Sequence, residues 1–162
     1  MPAEKNEAAA RADREIVTTR LFDAPRQLVF EAWTDPKHVA QWWGPRGFTN
    51  TIHEMDVTPG GVWRLTMHGP DGVDYPNRIV FTEVVKPERL VYDHGSSEGD
   101  PGEFHVTVTF AEESGKTRLT MRALFDSAEA CRKVKEFGAV EGGNQILERL
   151  AEHLPKMAGR KG

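Results

Sequence analysis

Six consecutive segments alternate apolar and polar residues with a period of two: Thr51 to Val57, Val62 to His68, Tyr75 to Val85, Arg89 to His94, Glu103 to Ala111 and Lys116 to Phe125. Such alternation sends successive side chains to opposite faces of a strand, so each segment has one face to cover and one to show to water. Short, turn-rich links join them. Thr58-Pro59-Gly60-Gly61 suits a type II turn, Gly69-Pro70-Asp71-Gly72 and Glu113-Ser114-Gly115 suit tight hairpins, and Lys86-Pro87-Glu88 suits another. An antiparallel meander follows. Its covered face carries Trp63, Leu65 and Met67, then Phe104, Val106, Val108 and Phe110, then Leu119, Met121, Ala123 and Phe125. Gly95 to Gly102, GSSEGDPG, is the one long glycine-rich link, read either as a flap at the sheet end or as a solvated loop.

That apolar face needs a cover, and Ala139 to Leu154, AVEGGNQILERLAEHL, supplies one. Val140, Gly143, Leu147, Leu150, Ala151 and Leu154 recur at helical spacing, with Glu141, Asn144, Glu148, Arg149 and Glu152 on the other side. The pair Gly142-Gly143 is costly in a helix, about 1 kcal/mol per glycine relative to alanine, and leaves room below. Either a close-packed strand or a ligand takes that room.

Ahead of the meander, Arg14 to Phe22 reads as a first strand, and Asp23-Ala24-Pro25 opens a helix over Arg26 to Thr34. Asp35-Pro36 opens a second, short helix through Lys37 to Trp42. The stretch from Gln41 to Phe48, QWWGPRGF, holds Trp42, Trp43 and Phe48 among residues that cannot continue a helix, so it is a packed loop anchored by aromatic area or a lid over a ligand. Asp126-Ser127 caps a helix over Ala128 to Phe137 that Gly138 breaks, and Pro155 ends the main helix. Residues 1–13 are polar and read as a disordered lead-in, 14–156 as a single domain, and 157–162 as a polar tail.

The net charge of −4 arises from interspersed acids and bases without a basic block, which disfavours nucleic acid and anionic membrane as partners. No apolar run is long enough for a membrane span or signal core, so the chain is expected in the cytoplasm. Cys131 is a lone cysteine and reads as a structural thiol. His38, His53, His68, His94, His105 and His153 lack metal-ligand spacing, and no nucleotide, dinucleotide or serine-hydrolase motif is present. Metal and cofactor are therefore both expected to be none. Glu31, Asp56, Arg64, Glu83 and His105 are acid-base or charge-positioning types, but the sequence brings no two of them together, and none is assigned a catalytic role.

The runs FDAPRQLVFEAWTDPKHVAQWWGPRGFT, MDVTPGGVWRLTMHGPDG, VVKPERLVY and EGGNQILERLAEHL resemble the bacterial family named after the C-terminal domain of the activator of heat-shock protein 90 ATPase, over about Glu15 to Leu154. The resemblance implies an α+β helix-grip fold of the START-like (Bet v-like) superfamily: a curved antiparallel seven-strand sheet around a long C-terminal helix, with two short helices after the first strand. It also implies a cavity between sheet and helix for a small hydrophobic or aromatic molecule. Relatives commonly carry tryptophan at the position that aligns with Gly143, so the glycine either enlarges that cavity or is backfilled by a neighbour. The residues expected to line it are Trp42, Trp43, Phe48, Trp63, Leu65, Met67, Phe81, Phe104, Val106, Met121, Gly143 and Leu147. The same side chains serve equally as a packed core. Three functions stay open: a non-enzymatic binding protein, a polyketide cyclase-like enzyme using Arg64, Glu83 or His105, and an interaction module with a chaperone contact or a homodimer.

Overall fold

The computed structural model describes residues 14–95, 104–136 and 138–159. Strand β1 (Glu15–Phe22) leads into helices α1 (Arg26–Thr34) and α2 (Pro36–Trp42). Strands β2 (Thr49–Met55), β3 (Val62–His68), β4 (Asp74–Val85), β5 (Arg89–Gly95), β6 (Phe104–Glu113) and β7 (Lys116–Leu124) follow, then α3 (Ala128–Glu136) and α4 (Ala139–Gly159). All seven strands form one antiparallel sheet in the order β1-β7-β6-β5-β4-β3-β2. Strand β1 sits beside β7, so the two helices after it carry the chain across to the opposite edge, where the meander begins. This is the helix-grip arrangement expected from the sequence.

Each turn does what its residues dictate. In the Thr58-Pro59-Gly60-Gly61 turn the Gly61 amide donates to the Thr58 carbonyl at 2.7 Å, and Gly60 takes the positive φ that the type II geometry requires. Asp35 caps α2 by accepting the Lys37 amide at 2.9 Å, with Pro36 in the first turn. Register shifts at Ile52/Glu54 and Phe81/Glu83 mark bulges, which bend a sheet toward the elements it covers.

The core lies between the concave face and α1, α2 and α4. It contains all four tryptophans, with Phe22, Phe81, Tyr92, Phe110, Leu65, Leu119, Leu147 and Leu150. The face assignments made from alternation hold: Trp63 and Leu65 are buried while Arg64 is exposed, and Val106, Val108 and Phe110 are buried while the intervening residues are only partly covered.

Three local expectations are corrected. Strand β2 runs from Thr49 rather than Thr51 and ends at Met55. Val140, placed on the covered helix face, is exposed, because it precedes the point where α4 meets the sheet. Pro155 does not end α4: the helix continues to Gly159, and Met157, three residues beyond Leu154 on the same stripe, is 4 % exposed in the core. Burying a methionine contributes about 2 kcal/mol, which offsets much of the hydrogen bond lost at the proline. The 1–13 lead-in and nearly all of the Gly95 to Gly102 link lie outside the described residues.

Candidate functional site

The loop after α2 is held from three sides. Gly44 and Gly47 both adopt positive φ, which turns the chain tightly enough to bring Trp43 inward. Trp43 packs edge-on against Trp33, Trp42 and Trp63, with ring centroids 5.5, 5.7 and 4.9 Å away. The Asn50 amide donates to the carbonyls of Ala40 and Trp43 at 3.1 and 2.9 Å. From α4, Arg149 donates through Nη1 to the carbonyls of Trp43, Gly44 and Pro45 at 2.9, 2.8 and 3.1 Å, and through Nη2 to that of Gln41 at 3.0 Å. One planar guanidinium thus satisfies carbonyls that the end of α2 leaves open. Desolvation, followed by the nearby Arg46 charge, lowers the Arg149 pKa from its ordinary value, yet arginine stays protonated. Arg46 adds outer contacts to Glu152 at 2.7 Å and Glu148 at 3.1 Å, both exposed and individually weak.

Beneath α4 and beside this loop is a hollow of about 240 Å³. Phe104 and Val106 of β6 and Met121 and Ala123 of β7 form its floor, with Phe125 beyond them. Ile16 and Thr18 of β1 close one side, Tyr92 and His94 of β5 the other. Gly142, Gly143 and Ile146 form the roof, and Trp43 and Pro45 the rim. The rings of His94, Phe104 and Phe125 make a near-continuous aromatic wall at 5.0 Å steps.

The glycine pair explains why the space exists, and both sequence readings of it apply. A Cβ at Gly143 would sit 3.1 Å from Thr18 Oγ1, so the helix does approach strand β1 closely. The next neighbour, Met121 Cε, is 3.9 Å away, and at Gly142 only Pro45 Cγ comes within reach, at 3.7 Å. Neither glycine puts a side chain into the hollow, and Ile146 is the next residue of α4 to line it.

Of the residues expected to line a cavity, Trp43, Phe104, Val106, Met121 and Gly143 do so. Trp42, Trp63, Leu65, Phe81 and Leu147 are instead packed in the core, each at most 1 % exposed. Phe48 and Met67 do not line it: Phe48, half-buried, pairs with Tyr75 at 5.9 Å, and Met67 packs against the core beneath Gly44. Ile16, Thr18, Pro45, Tyr92, His94, Ala123, Phe125, Gly142 and Ile146 also line it and are not among the expected residues. Alternation within β1 and β5 does place Thr18 with Ile16, and Tyr92 with Leu90, on the covered face.

The polar lining is sparse and ordered. Asn77 donates to the Tyr75 carbonyl at 2.9 Å, which orients its amide so that Oδ1 accepts from His94 Nε2 at 2.7 Å. Burial pushes the Tyr92 phenol pKa well above its ordinary value, so it stays protonated. Arg64, Glu83 and His105 lie elsewhere, paired on the sheet with Glu54, Arg89 and Asp93 respectively. Among the described residues no three His, Cys, Asp or Glu side chains gather as a metal set, and no helix is long and apolar enough to cross a membrane. Cys131 is buried against Ile16 and Phe125. A second hollow, about 570 Å³, lies where Arg20 to Pro25 and Leu28 meet Ala151, Leu154 and Pro155.

Residues 23–155 match the profile of the family described as Activator of Hsp90 ATPase homolog 1-like protein. Among solved structures, a protein from Arthrobacter aurescens is similar at 29 % identity and a TM-score of 0.84, covering 90 % of this chain and 88 % of its own. Protein Ms6760 from Mycobacterium smegmatis is similar at 27 % identity and a TM-score of 0.78, covering 87 % and 90 %. Protein NE0264 from Nitrosomonas europaea, at 22 % identity and a TM-score of 0.81 over 91 % and 98 %, shares the fold. No protein with a curated function matches the chain.

Proposed function

The chain belongs to the Activator of Hsp90 ATPase homolog 1-like family, and from that premise we propose that it binds a small apolar or aromatic molecule in the hollow beneath α4, without turning it over. The observation that carries this reading is the hollow itself: about 240 Å³, walled by aromatic and aliphatic side chains, under a turn of helix that two glycines strip of side chains. Natural ligand sites begin at roughly 300 Å³, and an apolar cavity of about 150 Å³ suffices for benzene. The volume suits one or two fused rings or a short alkyl chain, and is too small for a long fatty acid or a multi-ring polyketide unless the walls part.

The test is native mass spectrometry of the purified protein, followed by thermal denaturation with bicyclic aromatics, flavonoids and fatty acids. Bicyclic aromatics are expected to raise the midpoint by several degrees at a hundred times Kd, since ligand bound only to the folded state adds about 2.7 kcal/mol there. A flat response across every class, with no co-purified mass, contradicts the proposal.

A second reading, a protein-contact module of the chaperone-activator kind, draws support from the exposed Val73 and Tyr75 beside Phe48 on the β3-β4 hairpin. Stable capture of a chaperone by the wild type but not by a Val73→Asp, Tyr75→Asp variant would favour it.

A further inference from the structure

Buried hydroxyls are almost always hydrogen-bonded, and those that are not call for a water or a ligand. Two hydroxyl-bearing residues line the hollow beneath α4 without a hydrogen bond to another described residue: Thr18 on β1, 6 % exposed, and Tyr92 on β5, 1 % exposed; their oxygens are not sealed off, so water or a ligand can reach them. Strands β7 and β6 lie between them and present only Phe104, Val106, Met121 and Ala123 to the space. The polar atoms therefore stand on opposite sides of an apolar floor.

The described lining carries no carboxylate, ammonium or guanidinium. Among the described residues no Lys, Arg, Asp or Glu lines the hollow, His94 donates through Nε2 to Asn77 Oδ1, and the nearby guanidinium of Arg149 spends its donors on backbone carbonyls of the loop. A carboxylate or ammonium brought into this space would lose its hydration and meet no Lys, Arg, Asp or Glu among the described residues of the lining. A pure hydrocarbon would leave both hydroxyls without partners. A neutral molecule with an apolar ring body and a hydroxyl satisfies both conditions.

We infer that the hollow is selective for neutral, hydroxyl-bearing mono- or bicyclic aromatics, with Tyr92 as the principal reader of the ligand hydroxyl and Thr18 as the second. The inference rests on the ligand-binding reading of the hollow and adds the chemical class. A phenolic hydroxyl both donates and accepts, so it pairs with the Tyr92 hydroxyl in either sense, while its ring lies against the His94-Phe104-Phe125 wall. The ordinary pKa of tyrosine, near 10, is raised further here by burial, which keeps the donor in place at neutral pH.

Equilibrium dialysis of the full chain against naphthalene, 2-naphthol and 2-naphthoate tests this, with Tyr92→Phe, Thr18→Val and the double variant beside the wild type. The wild type is expected to hold 2-naphthol about five- to tenfold more tightly than naphthalene, the effect of one well-made neutral hydrogen bond, and 2-naphthoate more weakly than 2-naphthol. The 2-naphthol to naphthalene ratio is expected to fall most in Tyr92→Phe and to approach unity in the double variant. Both substitutions keep the side-chain shape, and circular dichroism verifies the fold of each. Equal binding of naphthalene and 2-naphthol, tightest binding of 2-naphthoate, or an unchanged ratio in the double variant would overturn the inference and leave the binding reading standing. Failure of all three probes to bind the wild type would overturn both.

Discussion

Arg149→Ala lowers the unfolding free energy by about 3 kcal/mol, read from the urea midpoint at unchanged m-value, because four backbone carbonyls lose their only charged donor at once. The expectation separates Arg149 from its neighbour Arg46. Both sit at the loop, but Arg46 meets carboxylates in open water, where such pairs contribute little. Arg149→Lys recovers less than half of the loss, since one ammonium on a flexible stem cannot span the carbonyls of Gln41 and Pro45 together. A loss under 0.5 kcal/mol in Arg149→Ala would show that Trp43 and Asn50 hold the loop unaided. Because Trp43 and Pro45 form the rim of the hollow, any ligand affinity is expected to fall with the same substitution.

Gly143→Trp abolishes binding of every small apolar molecule, a loss of at least a hundredfold by thermal shift or dialysis. The indole would project from the roof into the space between Thr18 and Met121. Its Cβ starts 3.1 Å from Thr18 Oγ1, so β1 must yield by a few tenths of an ångström, and buried aromatic area of roughly 2–3 kcal/mol is available to drive that adjustment. Gly143→Ala is the companion variant: the same small adjustment, no filled hollow, and binding within about threefold of wild type, a shift below 1 kcal/mol. Undiminished binding in a folded Gly143→Trp protein would place the ligand elsewhere, the hollow around Arg20 to Pro25 first.

How much of this was legible in the sequence follows from how local each cause is. Strand faces, the type II turn at Gly60, the Asp35 cap and the covering helix each depend on residues within one turn or one strand, and their patterns are visible in the letters. Val140 and Pro155 misled because their fate was decided by what lies opposite: open solvent for Val140, and core space that Met157 fills beyond the proline. Arg149 sits on the polar side of the helical pattern, and nothing nearby in sequence marks it as the partner of a loop more than a hundred residues earlier.

The site was half legible for the same reason. Phe104, Val106 and Met121 alternate with polar residues and were expected in the lining; Trp63, Leu65 and Phe81 alternate just as clearly but lie toward the other end of the sheet, under the tryptophan cluster. Choosing between them needs the register of β1 on β7 and of β5 on β6, which sets Ile16 opposite Ala123 and Tyr92 opposite Val106. That register joins residues far apart in the chain. Thr18, Tyr92 and His94 were passed over because their polar groups obscure an inward position that the strand period assigns them.

The most direct measurement of the central claim is a two-dimensional amide NMR titration of the wild-type protein with 2-naphthol. The account predicts saturable shifts confined to Ile16, Thr18, Trp43, Tyr92, His94, Phe104, Val106, Met121, Ala123, Phe125 and Gly142 to Ile146, the walls of the hollow beneath α4. No saturable shifts, or shifts grouped at Arg20 to Leu28 with Ala151 and Leu154, would contradict it.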